Sequence, residues 1–313
     1  MFKTTLSLVV FLISLTVNAN PVDSWLDKME RAHSQQNYQG TLVIRQDDKL
    51  QVIKVTQGVK EGKSWQTLNS QTGEDQIIFR KNGSVTTIFP GKKLITISDT
   101  QNKDINKGPF HPNLPENRDK LKQLYLLKLG EEERIANKTT QIVKIVPRDK
   151  HRYGYTFWLD KQSGLLLKCD LINNKGRVLE QLMYSDIELL ASSPANLVDE
   201  SKLMAYKKVM LSNDNNVSSD YWQAEQIPAG FVLTRSVKIK QQQAYHIVFS
   251  DGMASVSVFI EPANENHKFQ VGHSGMGPVN AYSALINDTY VTAIGEVPVS
   301  TVRMIAQSMQ PND

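Results

Sequence analysis

Residues 76–98 read QIIFRKNGSVTTIFPGKKLITIS, and this stretch decides the fold. It contains three short runs rich in β-branched and aromatic residues, a composition typical of strands. Asn82-Gly83, between the first two runs, suits a type I′ turn, and Pro90-Gly91, between the next two, suits a type II turn. Because connections this short join neighbouring antiparallel strands, the stretch predicts a meander of three strands.

The same pattern extends in both directions along the chain. Similar runs occupy 38–45, 50–56 and 64–68 before the meander, and 126–187 holds a further series of strands separated by turns. No alternation of strand and helix accompanies them, which disfavours a doubly wound parallel architecture. An antiparallel sheet of this length must curl, so its concave face must be filled by other parts of the chain.

Helices are predicted to fill that face. Val22, Leu26 and Met29, together with Trp25 and Ala32, follow the spacing of one apolar helical stripe. A second, shorter helix is indicated around 121–125. The predicted fold class is therefore α+β, with an N-terminal curled antiparallel sheet that forms an open half-barrel and carries helices in its concave face.

A smaller C-terminal unit follows a polar segment. Residues 194–219 include Asn213-Asp214-Asn215-Asn216, where neither strand nor helix periodicity can be found. Beyond it, several strands precede a final helix that Ser300 is expected to cap. The expected domains are a signal peptide at 1–19, the half-barrel at 20–205, a linker at 206–220 and a small α+β domain at 221–313.

The N-terminus has the features of an export signal. Lys3 precedes the apolar run 6–15, and Val17-Asn18-Ala19 forms a small-residue site, so we expect cleavage after Ala19 and an exported, soluble product. The single cysteine, Cys169, excludes an internal disulfide. Because Cys169 alternates with Leu167 and Leu171, we expect a buried and unreactive thiol.

The two domains differ in net charge, and the charge of the whole chain does not indicate a nucleic-acid partner. The whole chain has a net charge of +4, too small and too dispersed to predict nucleic-acid binding. Residues 20–219 hold 30 Lys and Arg against 24 Asp and Glu, whereas 220–313 hold 5 against 8. The two domains are therefore expected to meet different kinds of partner, unless these charges are merely solvated.

No catalytic motif survives inspection. Gly272-His273-Ser274-Gly275-Met276 approaches the nucleophile elbow of hydrolases, but Met276 replaces the final Gly and no histidine follows that could act as the base. The six histidines lack the spacing of a zinc-binding helix, and there are no cysteine pairs. The sequence contains neither a phosphate-binding P-loop nor a dinucleotide fingerprint. We expect no metal, no cofactor and no enzyme activity.

Two interpretations of the N-terminal domain remain. A curled sheet with helices against it offers an apolar cavity, and six residues are the predicted lipid-binding lining of that cavity: Trp65, Phe79, Ile88, Phe89, Leu94 and Trp158. Taken singly, a residue of this kind is more often an ordinary core residue. Alternatively, the protein is an interaction module whose second domain and linker hold a peptide or protein, and the two interpretations are compatible.

Several segments together resemble one family. They are Trp25-Leu26-Asp27-Lys28-Met29, Asn37-Tyr38-Gln39-Gly40-Thr41, Arg152-Tyr153-Gly154-Tyr155, Trp158-Leu159-Asp160, Gly164-Leu165-Leu166-Leu167-Lys168, Ile227-Pro228-Ala229-Gly230-Phe231 and Phe249-Ser250-Asp251-Gly252-Met253 with the following strand. In this order, over nearly all of the mature chain, they resemble the RseB/MucB family of periplasmic regulators of the envelope-stress factor sigma-E.

The resemblance implies a regulatory function without catalysis. Members of this family bind the periplasmic region of a membrane-spanning anti-sigma factor and shield it from regulated proteolysis. Their large domain is similar to periplasmic lipoprotein carriers, and it is thought to sense lipopolysaccharide or mislocalised lipoprotein. A periplasmic lipid or lipoprotein carrier is the alternative, although the second domain argues against it. The sequence leaves the oligomeric state open, a homo-oligomer included.

Overall fold

The computed structural model describes residues 21–81, 83–99, 114–115, 117–195, 198, 203–211, 222–239, 243–263 and 271–312. The expected signal peptide at 1–19 and most of the expected linker lie outside the described residues.

Two large sheets, one two-stranded ribbon and three α-helices make up most of the described part of the chain. The helices are α1 (Pro21–Gln35), α2 (Arg118–Leu124) and α3 (Val299–Ser308). The strands of the large sheet are β1 (Tyr38–Gln46), β2 (Lys49–Lys60), β3 (Lys63–Ser70), β4 (Ile77–Lys81), β5 (Ser84–Phe89), β6 (Leu94–Asp99), β7 (Tyr125–Ile135), β8 (Lys138–Pro147), β9 (Gly154–Asp160), β10 (Leu166–Ile172), β11 (Val178–Leu189) and β12 (Lys207–Leu211). The remaining strands are β13 (Trp222–Ala224), β14 (Val232–Ile239), β15 (Ala244–Ser250), β16 (Ser255–Pro262), β17 (Gly272–Met276), β18 (Val279–Ile286), β19 (Thr289–Gly295) and β20 (Met309–Pro311).

The large sheet has twelve strands in the order β12-β6-β5-β4-β3-β2-β1-β11-β10-β9-β8-β7. Its neighbouring strands are antiparallel except for β12, which lies parallel to β6. Strands β4, β5 and β6 form the meander that the sequence of residues 76–98 predicts. The α+β class with a smaller second domain is confirmed. The structure differs from the expected linker at one point, because 207–211 hydrogen-bond to β6 as the edge strand β12.

One turn of the meander is not the type expected. Pro90-Gly91 was assigned to a type II turn, but Pro90–Lys92 forms a 3₁₀ turn closed by the Lys93 amide donating to the Pro90 carbonyl over 3.1 Å. Lys93, rather than Gly91, adopts the left-handed conformation, with φ of 47°. The connection is longer than two residues because β6 begins only at Leu94. At the other turn Gly83 has φ of 79°, while Asn82 lies outside the described residues.

One end of the large sheet is strongly bent. Cα atoms of β7 and β11 approach within 8 Å, although β8, β9 and β10 lie between them in the sheet. In a flat sheet, four strand spacings would separate them by ~19 Å. The bend brings the two strands over the same core, which α1 and α2 also share.

The two faces of the large sheet differ in what covers them. On β1, the side chains of Tyr38, Leu42 and Ile44 are buried in one core with Leu26 and Met29 of α1. We call this the helix-bearing face, and the opposite one the outer face. Because directly opposed residues of neighbouring strands share a face, the strand register assigns every sheet residue to one of the two.

The C-terminal domain has its own core. Its sheet has the order β14-β15-β16-β19-β18-β17, and α3 packs on β18 and β19. Val302, Ile305 and Ala306 of α3 are fully buried in it, as the sequence pattern predicts. The expected cap is wrong, since Pro298 precedes the helix and Ser300 is its second residue. A two-stranded ribbon of β13 and β20 joins the first and last parts of this domain.

Candidate functional site at the domain interface

The loop between β8 and β9 carries the contact between the domains. Its start is fixed to the large domain, since the Arg148 amide donates to the Leu124 carbonyl over 2.9 Å. Asp149 then accepts a hydrogen bond from the His151 amide over 2.8 Å, which closes a tight turn. The loop therefore presents Arg152 in one direction, toward the C-terminal domain.

Arg152 is a fully buried cation in this interface, with 0% of its surface exposed. Its Nη1 donates to Asp251 Oδ2 over 2.7 Å and its Nη2 donates to the Ala229 carbonyl over 2.6 Å, both in the C-terminal domain. On its own side, Nε lies 3.2 Å from Asp149 Oδ1 and Nη2 lies 3.1 Å from Asp149 Oδ2. All three guanidinium nitrogens are thus hydrogen-bonded across or along the interface.

Aromatic rings from both domains cover the charged group. The guanidinium carbon lies 5.7 Å from the ring centroid of Tyr125 and 5.3 Å from that of Phe231. Both distances are within the range of cation–π attraction. Tyr125 also donates its hydroxyl to Asp251 Oδ2 over 3.3 Å. Burial and the negative charge of Asp251 raise the pKa of this Tyr125 hydroxyl, so it remains a donor.

Asp251 is held in place before it meets Arg152. It lies in the turn between β15 and β16, and its Oδ1 accepts hydrogen bonds from the amides of Met253 at 2.8 Å and Ala254 at 2.7 Å. Gly252 has φ of 95° in this turn, a conformation that other residues rarely adopt. The other carboxylate oxygen, Oδ2, is thereby left to face Arg152 and Tyr125.

A second set of contacts lies beside the first. The Asn280 amide nitrogen donates to the Tyr153 hydroxyl over 3.0 Å and to the Val297 carbonyl over 2.8 Å. The Thr301 hydroxyl, at the start of α3, donates to the His151 carbonyl over 2.8 Å. Three consecutive residues of one loop therefore each bond to the C-terminal domain, which fixes the two domains against rotation.

Two carboxyl groups from different domains also approach each other here. Burial raises the pKa of the Glu296 carboxyl to about 7, and the negative charge of Glu180 on β11 adds to that shift. Burial likewise raises the pKa of Glu180. The charge of Glu296 also contributes to the raised pKa values of Tyr153 and Tyr155. Ionisation of Glu296 therefore acts against the folded state.

The central residues of this site were not among those predicted from the sequence. Arg152, Ala229 and Asp251 nevertheless stand in three of the segments that carry the family resemblance. The signal was thus present, but those segments are far apart in the chain, and nothing in the sequence indicates that they meet.

The six predicted lining residues do not meet around one cavity. Register places Trp65, Phe79, Ile88 and Trp158 on the outer face and Phe89 and Leu94 on the helix-bearing face. The rings of Trp65 and Phe79 lie 6.5 Å apart, but five strands separate Phe79 on β4 from Trp158 on β9. The Trp158 indole donates to Glu133 Oε2 over 2.6 Å. The lipid-binding role of the six stays a prediction.

A cavity does open on the helix-bearing face, with other residues around it. It has a volume of about 400 Å³ and lies beside the loop between β3 and β4. Ile53, Leu68 and Ile78 form its apolar floor, and Lys49 and Glu74 stand among its polar lining residues. One strand position further along, Gln57, Gln66 and Arg80 form a polar row, and burial lowers the pKa of Arg80 to about 10.

The remaining chemical candidates occupy ordinary positions. Ser274 lies on the edge strand β17 of an antiparallel sheet, and His273 Nε2 lies 2.8 Å from Asn280 Oδ1. Cys169 is buried as expected, and burial raises the pKa of its thiol well above the usual value. Within the described residues, no group of three His, Cys, Asp or Glu could hold a metal ion, and no helix is long and apolar enough to span a membrane.

Comparison with known proteins covers both domains. The family described as MucB/RseB N-terminal domain matches residues 21–205, and the MucB/RseB C-terminal domain matches 216–310. The chain is 29% identical to the Sigma factor AlgU regulatory protein MucB of Pseudomonas aeruginosa, over 98% of each chain. It is 26% identical to the Sigma-E factor regulatory protein RseB of Haemophilus influenzae, over 91% of this chain and 90% of that one. The solved structure of MucB in complex with MucA(peri) covers 93% of this chain and 99% of its own, at 26% identity and a TM-score of 0.70.

Replacing Arg152 by Met should weaken the interface by about 3–5 kcal/mol, because it leaves Asp251 buried without its cation. The measurement is urea unfolding together with the radius of gyration from small-angle scattering, which should increase as the domains separate. Lys150→Met, an exposed change in the same loop, is the matched control. If Arg152→Met behaves like Lys150→Met in both measurements, the proposed role of the ion pair is wrong.

Replacing Glu296 by Gln should stabilise the protein at alkaline pH. An unfolded Glu has a pKa of ~4.3, so between that value and about 7 the folded state binds more protons than the unfolded state. The free energy of unfolding of the parent protein therefore falls as pH rises through this window, by on the order of 3 kcal/mol. The increase in the free energy of unfolding caused by Glu296→Gln should be complete above pH 7 and should vanish near pH 4.

The check is the urea midpoint of parent and variant between pH 4 and 8.5. Glu225→Gln, at an exposed site of the same domain, is the control for the change of residue type. A pH-independent difference for Glu296→Gln would contradict the assignment.

Proposed function

The chain belongs to the MucB/RseB family, and from this we propose that it is a negative regulator of the sigma-E envelope-stress response. It binds the periplasmic region of the membrane-spanning anti-sigma factor and shields that region from regulated proteolysis. The sigma factor then stays sequestered until the shield is removed.

The observation that carries this proposal is the match over both domains to regulators of the same type. The relatives are named as sigma-factor regulatory proteins, and MucB has been solved in complex with MucA(peri). A carrier of lipid would need only the large sheet and its cavity. A partner that must be shielded along its length suits a surface built from two domains, and the contacts of Arg152, Tyr153 and His151 keep that surface in one arrangement.

The same proposal includes location and the absence of catalysis. Export through a signal peptide cleaved after Ala19 would place the mature chain in the periplasm, where the anti-sigma segment lies. The protein acts by binding, without an active site or cofactor. We place the domains at 20–205 and 221–313, with the linker segment 207–211 paired to the edge of the large sheet. This division is supported by the two large sheets, each of which has a hydrophobic core of its own.

Lipid provides the release signal in this proposal. Lipopolysaccharide or a mislocalised lipoprotein binds the large domain and lowers its affinity for the anti-sigma factor. The cavity over Ile53, Leu68 and Ile78 supports this step, since it offers apolar surface to an acyl chain. Each buried methylene contributes ~0.8 kcal/mol, so a few of them rival a modest protein contact. The lipid must bind the released form more tightly than the bound form to shift the equilibrium.

The mature chain, titrated by calorimetry with the purified periplasmic segment of the host anti-sigma factor, should bind with a Kd of about 1 μM or tighter. The bound segment should resist the site-specific protease that cleaves it when free. A scrambled segment of the same composition is the control. No heat of binding at concentrations of about 50 μM would remove the regulator function and leave the carrier as the remaining hypothesis.

The ability of lipid to displace the anti-sigma segment should depend on the helix-bearing face. Ile53→Ser removes apolar surface from the cavity floor and should weaken lipopolysaccharide competition by about tenfold, given ~0.8 kcal/mol per methylene. Trp65→Ala, on the outer face, should leave the competition unchanged. The measurement is the lipopolysaccharide concentration that halves binding of the anti-sigma segment, with thermal unfolding of each variant as the folding control. The opposite result would move the lipid site to the outer face and restore Trp65 to it.

A further inference from the structure

A second concavity opens at the end of the large sheet that carries the loop to Arg152. Its volume is about 540 Å³, and it is separate from the cavity over Ile53. Strands β8, β9 and β10 form its base, while the loop 148–150 and the turn 173–176 form its two ends. Its chemistry differs from that of the first cavity because its lining holds three basic residues and one acidic residue.

Three basic side chains belong to this lining: Lys144, Arg148 and Lys150. Lys144 and Lys150 are exposed, and neither forms an ion pair with any residue in the described part of the chain. Arg148 donates its Nε to the Lys122 carbonyl over 3.0 Å. That bond fixes the guanidinium plane and leaves both Nη groups without a partner among the described residues.

The one acidic residue of the lining does not neutralise these cations. Both oxygens of Asp149 are engaged by the buried Arg152, at 3.2 and 3.1 Å, and Oδ1 also accepts the His151 amide. The single positive charge of Arg152 is shared between Asp149 and Asp251. With three cations and one carboxylate, the lining of the concavity therefore has a formal excess of two positive charges.

The base of the concavity is uncharged and stable in shape. Gly154 and Ile172 lie opposite each other in register, with Val146 and the buried Thr156 beside them. At the far end, Asn173 Oδ1 accepts hydrogen bonds from the backbone amides of Lys175 and Arg177, which holds the turn in place. A small anion can therefore enter a preformed site without rearranging the sheet.

We propose that this concavity is a binding site for a phosphate monoester. Such a group carries about −1.5 to −2 charges at pH 7 and presents three acceptor oxygens, which matches a fixed guanidinium flanked by two ammonium groups. Arginine binds phosphate through two parallel hydrogen bonds, and lysine contributes a mobile point charge. The monoester can belong to a soluble molecule or to a lipid headgroup. This site does not depend on the proposed regulatory function.

The test uses the mature chain and two probes. Glycerol 3-phosphate, titrated by calorimetry, represents the soluble source, and flotation with phosphatidylcholine vesicles containing phosphatidic acid represents the headgroup. The variant Lys144→Gln/Arg148→Gln/Lys150→Gln removes the three cations. The variant Lys60→Gln/Lys63→Gln/Lys81→Gln makes the same change of net charge at exposed positions on β2, β3 and β4. All six replaced residues are exposed. Thermal unfolding of each variant verifies that it is folded.

The site variant should bind at least about tenfold more weakly, because it removes the charge-assisted hydrogen bonds to the phosphate oxygens. The control variant should stay within about twofold of the parent. Binding of glycerol 3-phosphate with this pattern supports a soluble ligand, and binding of the vesicles alone supports a headgroup. Equal losses in both variants would indicate unspecific electrostatic attraction and overturn the proposal, as would a parent chain that binds neither probe.

Discussion

The arrangement of this protein depends on one desolvated ion pair, Arg152 with Asp251. Removing a guanidinium and a carboxylate from water costs several kcal/mol for each ion, and only a nearly complete set of hydrogen bonds offsets that cost. Here the acceptors come from both domains: Asp149 on one side, Asp251 and the Ala229 carbonyl on the other. A small rotation between the domains would leave a buried charge unsatisfied. The pair is therefore a weak source of stability but a strong constraint on orientation.

Electrostatics also work against this interface at one point. Glu296 and Glu180 bring two carboxyl groups from different domains into a partly buried region, and the pKa of Glu296 lies near neutrality as a result. The loop of residues 148–152 carries Arg152 of the favourable pair. It also carries Arg148 and Lys150, which line the concavity on the outer face.

In the large sheet, strand register decides which side chains share a surface. Side chains alternate between faces, so aromatic residues on one run of sequence divide between two different surfaces. Trp65 and Phe79 share the outer face, while Phe89 lies on the helix-bearing face although it follows Ile88 directly. The bend that brings β7 toward β11 then turns one face into a core and leaves the cavity over Ile53 at its margin.

Much of the fold followed from the sequence alone, because its causes are local. Alternating β-branched runs, two-residue turns and one apolar helical stripe specify antiparallel strands and α1 through backbone preferences within a few residues. The buried Cys169 and the lack of a nucleophile elbow around Ser274 also depended only on neighbouring residues. The turn at Pro90 was misjudged because its length depends on where β6 begins to pair.

The candidate site could not be found in that way. Arg152, Ala229 and Asp251 stand up to 99 positions apart, and only folding brings them to hydrogen-bonding distance. The six aromatic and aliphatic residues predicted to line a cavity are buried or half-buried, but the face that each one occupies depends on register and bend. The sequence by itself determined most strands of the two sheets, the helix α1 and the family, whereas β12 was missed within the expected linker. The tertiary structure alone decided which charges are desolvated and which surfaces are shared, because both depend on contacts between residues far apart in the chain.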